Sequence, residues 1–119
     1  MYSATVRRLV AELPNSGRLP GSPPARVENP ICGDVLELYL SVADGRITGS
    51  RFQAAGCPAA IAAGAAITIL IEGKSVAAAG KISVEEVLDF LEGLPPHKRH
   101  GAEMAVRALV QALAGVPGS

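Results

Sequence analysis

The chain has no tryptophan, two tyrosines and two phenylalanines, so aromatics make up only 3% of its 119 residues. A core must therefore be built from Ala, Val, Leu and Ile, within a total apolar content of 49%. An excess of charge is also missing, with 11 Lys plus Arg against 11 Asp plus Glu. Binding to nucleic acid or to an anionic membrane surface normally needs a basic excess, so neither is expected. Cysteine is scarce: Cys32 and Cys57 are the only two. One disulfide is arithmetically possible, but Arg7, Arg8, Glu12 and Pro14 interrupt the opening segment, and no secretory leader is expected. A reducing cytoplasm, with free thiols or metal ligation, fits this usage better. Ala54 to Ile71 carries no charge over 18 residues, the lower limit for a membrane span. Its Ala and Gly content, and Pro58 within it, favour a buried core helix.

What is present reads as one domain, residues 1–119, long enough for a real core. Val6, Leu9, Val10 and Leu13 recur at helical spacing, predicting an amphipathic helix over 2–13 whose apolar stripe can dock on the domain or on a partner. Residues 14–31 hold five prolines (14, 20, 23, 24 and 30) and Gly17 and Gly21, and are expected to form a flexible loop. The core is expected over 32–114. There Leu36, Leu38, Leu40 and Val42 alternate with Glu37, Tyr39 and Ser41, predicting a strand. Asp44-Gly45 follows as a strong hairpin signal. Ile47 and Phe52 on the return strand fall on opposite phases, which a bulge near Gly49 would reconcile.

A helix from Pro58 should stop at Gly73, with Cys57 at its N-cap. At that position the macrodipole and unpaired N–H groups would lower the thiol pKa towards thiolate. Two readings of Cys57 stand at this point, a functional thiol or a small buried hydrophobe. Ser75 to Ala79 suggests a helical turn, and Ser83 to Glu86 a capping box opening a helix that Gly93 closes. Leu94-Pro95-Pro96 is an extended break before a last helix from about His97 to Leu113.

Cys32, Asp34, Cys57 and His100 stand at the edges of these elements. Antiparallel pairing of the hairpin brings Cys32 and Asp34, at its start, beside Cys57, just past its end. Near a helix N-terminus, the dipole keeps the His100 imidazole neutral, as a ligand must be. Two thiolates, an imidazole and a carboxylate suit a tetrahedral Zn²⁺ or a thiolate-bound iron–sulfur centre. The spacing matches no zinc-finger pattern, and the plain readings remain open: a turn residue for Asp34 and a solvated histidine for His100.

Asn29-Pro30-Ile31-Cys32-Gly33-Asp34-Val35, Asp44-Gly45-Arg46-Ile47 and Phe52 to Ala62 with Gly56-Cys57 resemble the U-type iron–sulfur cluster assembly scaffolds, the IscU/NifU N-terminal domain family. Leu94-Pro95-Pro96-His97-Lys98-Arg99-His100 is similar to that family's Leu-Pro-Pro-Val-Lys-Leu-His segment. The resemblance covers residues 29–113 in unbroken order. It implies an α+β fold in which a small antiparallel sheet of about three strands packs against several helices. The third strand would come from the loop before Cys32. It implies a non-enzymatic scaffold or carrier for a transient [2Fe–2S] cluster, or for iron or Zn²⁺, with Cys32, Asp34, Cys57 and His100 as ligands. A cysteine desulfurase would supply sulfur; an Hsp70-type chaperone and apo iron–sulfur acceptor proteins would be further partners. The family's third cysteine, which in many members accepts the persulfide, is replaced by Gly101, and its Val by His97. His97 could serve as a substitute ligand, one helical turn from His100. A zinc-binding regulatory module that docks on a desulfurase without building clusters is the alternative reading. A third, Cys57 as a nucleophile with His100 as base, lacks an orienting group.

Overall fold

In the computed structural model, residues 1–116 are described. The elements run α1 (Ala4–Glu12), β1 (Ala25–Asn29), β2 (Asp34–Ala43), β3 (Arg46–Ala55), α2 (Pro58–Ile71), α3 (Val76–Ala79), α4 (Val84–Phe90) and α5 (His100–Ala114). The three strands form one antiparallel sheet in the order β1-β2-β3. Helix α2 packs on β2 and β3, and α5 on β1 and β2. This is the expected α+β architecture.

The β2–β3 hairpin closes through Asp44 and Gly45, whose φ values of 53° and 74° are the positive pair that a type I′ turn requires. Ser41 pairs with Gly49 but Val42 with Ile47, so Thr48 is an extra residue on β3. That bulge lets Ile47 and Phe52 both enter the core, at 2% and 1% exposure. Leu36 and Leu38 point inward beside them. With so few aromatics, α2 makes up the core by being buried nearly all round through small Ala side chains. At Gly64 it lies so close to the sheet that a Cβ would sit 2.6 Å from Phe52 Cδ2 and 2.9 Å from Leu36 Cδ1. No described helix is long and apolar enough to cross a membrane.

Three expectations are corrected. The stretch 14–31 is not a flexible loop throughout, since it contains β1, the third strand that the resemblance implied would come from the segment before Cys32. Ala25 and Val27 turn inward on that short strand, and Pro24 immediately precedes it, where the missing N–H interrupts no ladder. The segment before β1 is tied to β3 as well, through Phe52 N–H to Asn15 O (3.0 Å) and Gly17 N–H to Phe52 O (2.9 Å). The last helix begins at His100 rather than His97, because Pro96–Lys98 form a separate 3₁₀ turn. His97 is exposed on that turn and is not part of the group formed by Cys32, Asp34 and His100. The first helix begins at Ala4, capped by the Ser3 hydroxyl, and docks on the domain through Val6 and Leu9.

The remaining helix signals hold in detail. Ser83 and Glu86 form the full capping box, worth about 1 kcal/mol at such a position. Ser75 caps the single turn of α3. Helix α2 ends at Ile71, and Gly73 follows at φ 74°.

Candidate metal centre

The site forms where strand ends meet helix starts. Asp34 opens β2 and pairs across the sheet with Asn29, while Val35 pairs with Ala55 at the end of β3. One step further, Gly56 and Cys57 lead into α2, and His100 is the first residue of α5. Asp34 is almost fully buried, at 1% exposure, and is the hub. Its Oδ1 accepts from the Cys57 backbone N–H at 3.0 Å. Its Oδ2 accepts from the Cys57 thiol at 3.2 Å and contacts His100 Nε2 at 2.8 Å. Cys57 Sγ and His100 Nε2 are 3.8 Å apart. Cys32 closes the group from the β1–β2 turn: ligand atoms of Cys32, Asp34 and His100 all lie within 4.8 Å of one another.

Burial alone would push the Asp34 carboxyl upward, but hydrogen bonds from the Cys57 N–H, His100 and the Cys57 thiol outweigh it and hold it below the usual carboxylate range. Asp34 is therefore held as an ionised acceptor for these contacts. The expectation for Cys57 is reversed. Its thiol is pushed above the usual range by burial, and the Asp34 carboxylate adds to this. The N–H groups of Ala60 and Ala59 at the start of α2 pull the other way but do not prevail. The helix terminus is real, with Pro58 at the first turn, but Sγ does not cap it; it is turned to Asp34.

Three residues that sequence reasoning left unassigned shape the site. Asn29 Oδ1 accepts from the N–H groups of Ile31 (3.1 Å) and Cys32 (3.3 Å), folding the turn that presents Cys32. An Asn ahead of Pro-x-Cys-Gly is the readable signal for that turn. Gly56, at φ 130°, lies against the carboxylate: a Cβ there would be 2.0 Å from Asp34 Oδ1. Ala59 blocks the position where the family resemblance implies a third cysteine. A Cβ on Gly101 would meet Ala59 O at 2.7 Å, its carbonyl carbon at 2.8 Å and its Cβ at 3.0 Å. Helices α2 and α5 touch there at their first turns, so only glycine fits.

The donor spacing fits a single small cation. Tetrahedral bonds of roughly 2.0–2.3 Å to N, O and S place neighbouring ligand atoms about 3.3–3.8 Å apart. The Asp34 contacts at 2.8 and 3.2 Å need only small outward movements to reach those separations, and the Cys57–His100 distance of 3.8 Å already lies at their upper end.

A sheet end and two helix starts bring Cys57 and His100 onto Asp34, and Cys32, Asp34 and His100 form a group that could hold a metal ion, on a small α+β domain. The sequence profile described as the NifU-like N terminal domain matches residues 1–118, and the chain belongs to that family. It is 41% identical over 87 residues to iron-sulfur cluster assembly scaffold protein IscU 1 of Archaeoglobus fulgidus, a match covering 73% of this chain and 57% of that protein. It is also 41% identical over 86 residues to the scaffold protein IscU of Haemophilus influenzae, covering 71% of this chain and 68% of that one. The chain thus spans little more than half the length of the Archaeoglobus relative. Among solved structures it is similar to a candidate iron–sulfur cluster assembly scaffold protein for the SUF system of Fervidobacterium islandicum AW-1, with TM-score 0.79, 18% identity and coverage of 94% and 96% of the two chains. The N-terminal part of a nitrogen-fixing NifU-like protein from Brucella abortus matches with TM-score 0.72 and 13% identity over 96% of this chain and 95% of that one. At those identities the two structures establish the fold.

Proposed function

We propose that this chain is an iron–sulfur cluster assembly scaffold or carrier that holds a labile [2Fe–2S] cluster, or iron or Zn²⁺, through Cys32, Asp34, Cys57 and His100. The observation that carries this reading is the convergence of three donor side chains on Asp34, the buried hub of the site. The names of the Archaeoglobus and Haemophilus relatives support it. The chain's part is to bind and release cargo rather than to turn over a substrate. Asp34 orients the Cys57 thiol and the imidazole, and gives up those hydrogen bonds as a cation takes their place. Ligating thiols must then ionise, and a ligating imidazole nitrogen must carry no proton. With two thiolates the centre is a mixed-ligand one, in which non-thiolate donors raise the potential. A cysteine desulfurase as sulfur source, a chaperone recognising Leu94-Pro95-Pro96, and apo acceptor proteins are the corresponding partners. A reducing cytoplasm is the corresponding setting.

Anaerobic reconstitution with iron and sulfide tests the reading. The expected result is visible absorption of a [2Fe–2S] centre that is lost in Cys32→Ala and in Cys57→Ala. One-ion spacing of the donors favours a second reading, a zinc-binding module that docks on a desulfurase without building clusters. Tight stoichiometric Zn²⁺ that iron and sulfide cannot displace would decide for that module. A purified chain that binds neither metal would sink both.

A further inference from the structure

The four donors are held in two unequal ways. Asp34, Cys57 and His100 are fixed to one another by hydrogen bonds, on a sheet end and two helix starts. Cys32 is instead exposed, on the turn of residues 30–33 that joins β1 to β2. We infer that Asn29, whose side chain is turned to the backbone rather than to the centre, is the positioning residue that keeps Cys32 within reach of the other donors and so sets how firmly cargo is retained. This deepens the scaffold reading and rests on it.

Three observations lead there. Asn29 accepts from every backbone N–H that the turn possesses. Its Oδ1 takes Ile31 (3.1 Å) and Cys32 (3.3 Å), its own carbonyl oxygen takes Gly33 (2.7 Å), and Pro30 has no N–H to offer. The residues held in this way bury little: Ile31 is 94% exposed, and Cys32 and Gly33 are exposed beside it, so packing does not fix the turn. Asn29 itself is half-buried at the end of β1 and pairs directly with Asp34, which ties the turn to the hub of the site.

The residue type follows from these demands. Asn and Asp are the side chains that most readily hydrogen-bond to backbone groups a few residues on. Facing the buried Asp34 across the strands, a neutral amide does so without setting one carboxylate against another. Because the turn is ordered before cargo arrives, binding does not have to offset the entropy of ordering an exposed segment. Without the Oδ1 acceptor the turn samples other conformations, and Cys32 lets go sooner while the other three donors stay in place.

The test is a double-mutant cycle on the full chain with Zn²⁺ as the probe, read by chelator competition and by the rate of release to excess chelator. Asn29→Ala should weaken Zn²⁺ binding about 10–100-fold, the usual effect of removing a partner that supports a ligand, with most of the loss in faster release. Asn29→Asp keeps the acceptor and should bind no more than about threefold more weakly than wild type. In a Cys32→Ala background, Asn29→Ala should change the affinity less than about twofold, because the residue it positions is gone. A residue that merely supports the fold weakens Zn²⁺ binding alike in both backgrounds, and equal losses overturn the assignment. So does an Asn29→Asp loss as large as that of Asn29→Ala, an Asn29→Ala affinity equal to wild type, or a metal-free Asn29→Ala chain that fails to fold. Wild-type binding separates the two ideas. A chain that binds Zn²⁺ but shows equal losses overturns the positioning role alone, whereas a wild type that binds neither Zn²⁺ nor iron overturns the scaffold reading and the positioning role with it.

Discussion

Replacing Gly101 by Ala should destabilise this protein, although helix propensity argues the other way. Gly101 is the second residue of α5, and its φ is not positive. In an open helix the change would stabilise by up to about 1 kcal/mol, since alanine is the better helix former. Here the added Cβ would lie 2.7, 2.8 and 3.0 Å from the carbonyl oxygen, carbonyl carbon and Cβ of Ala59. Two of those three atoms are backbone, so no rotamer change relieves the contact; the starts of α2 and α5 must separate. Overpacking of this kind costs about 1–3 kcal/mol. Set against the propensity gain, the net loss should reach about 2 kcal/mol, a drop in Tm of up to about 12 °C for a chain of this size. Thermal unfolding of the metal-free protein reads it directly. The double variant with Ala59→Gly should not recover the loss, because the carbonyl remains. An unchanged or raised Tm in Gly101→Ala would refute the reasoning, and with it the claim that the third thiol is sterically barred. Gly101→Cys carries the same Cβ and should bind Zn²⁺ no more tightly than wild type.

Three further outcomes follow from the same geometry. Gly56→Ala would drive a Cβ to 2.0 Å from Asp34 Oδ1 at a backbone φ of 130°; Zn²⁺ affinity, read by chelator competition, should fall roughly 10–100-fold, the usual effect of disturbing a ligand's support. Asp34 has its folded pKa below the unfolded value, so its stabilisation is present above about pH 4 and lost as pH falls through the lower, folded pKa. The stability gap between metal-free wild type and Asp34→Asn should accordingly shrink towards acid pH, and a gap constant from pH 7 to 3 would contradict it. Zn²⁺ affinity should drop on the order of 10–100-fold per unit between pH 7.5 and 6, as one or two protons return to the thiols; isothermal titration in buffers of different ionisation enthalpy counts those protons, and a pH-independent affinity would count against the ligand set.

Much of the fold was legible because its signals are local. Asp44-Gly45, the Ser83 capping box and the phase conflict between Ile47 and Phe52 each depend on a few neighbouring residues, and each appears as expected. Strand β1 was not legible from the residues, since only Ala25 and Val27 turn inward and two prolines precede them. It becomes a strand because the free edge of β2 is there to pair with it, a tertiary effect that five residues cannot announce. The start of α5 was misplaced for a related reason. Pro95 and Pro96 precede a separate 3₁₀ turn, Pro96–Lys98, so the α-helix itself starts only at His100.

The site divides along the same line. That four donor residues fall at element ends could be read from the chain, and hairpin pairing does bring the Cys32 turn towards Cys57. The ionisation of Cys57 could not be read. The helix start was identified correctly, yet a local dipole argument gives the wrong sign once the residue is half-buried beside a carboxylate that faces it across the sheet end. Gly101 makes the same point in steric terms. Its identity was visible as a missing thiol, but its cause is the backbone of Ala59 on another helix. Both departures have one origin, the close meeting of the first turns of α2 and α5 over Asp34. That meeting holds Cys57 and His100 against the carboxylate and leaves no room for a third thiol. Of the two thiols the chain has, Cys32 is the one left open to solvent.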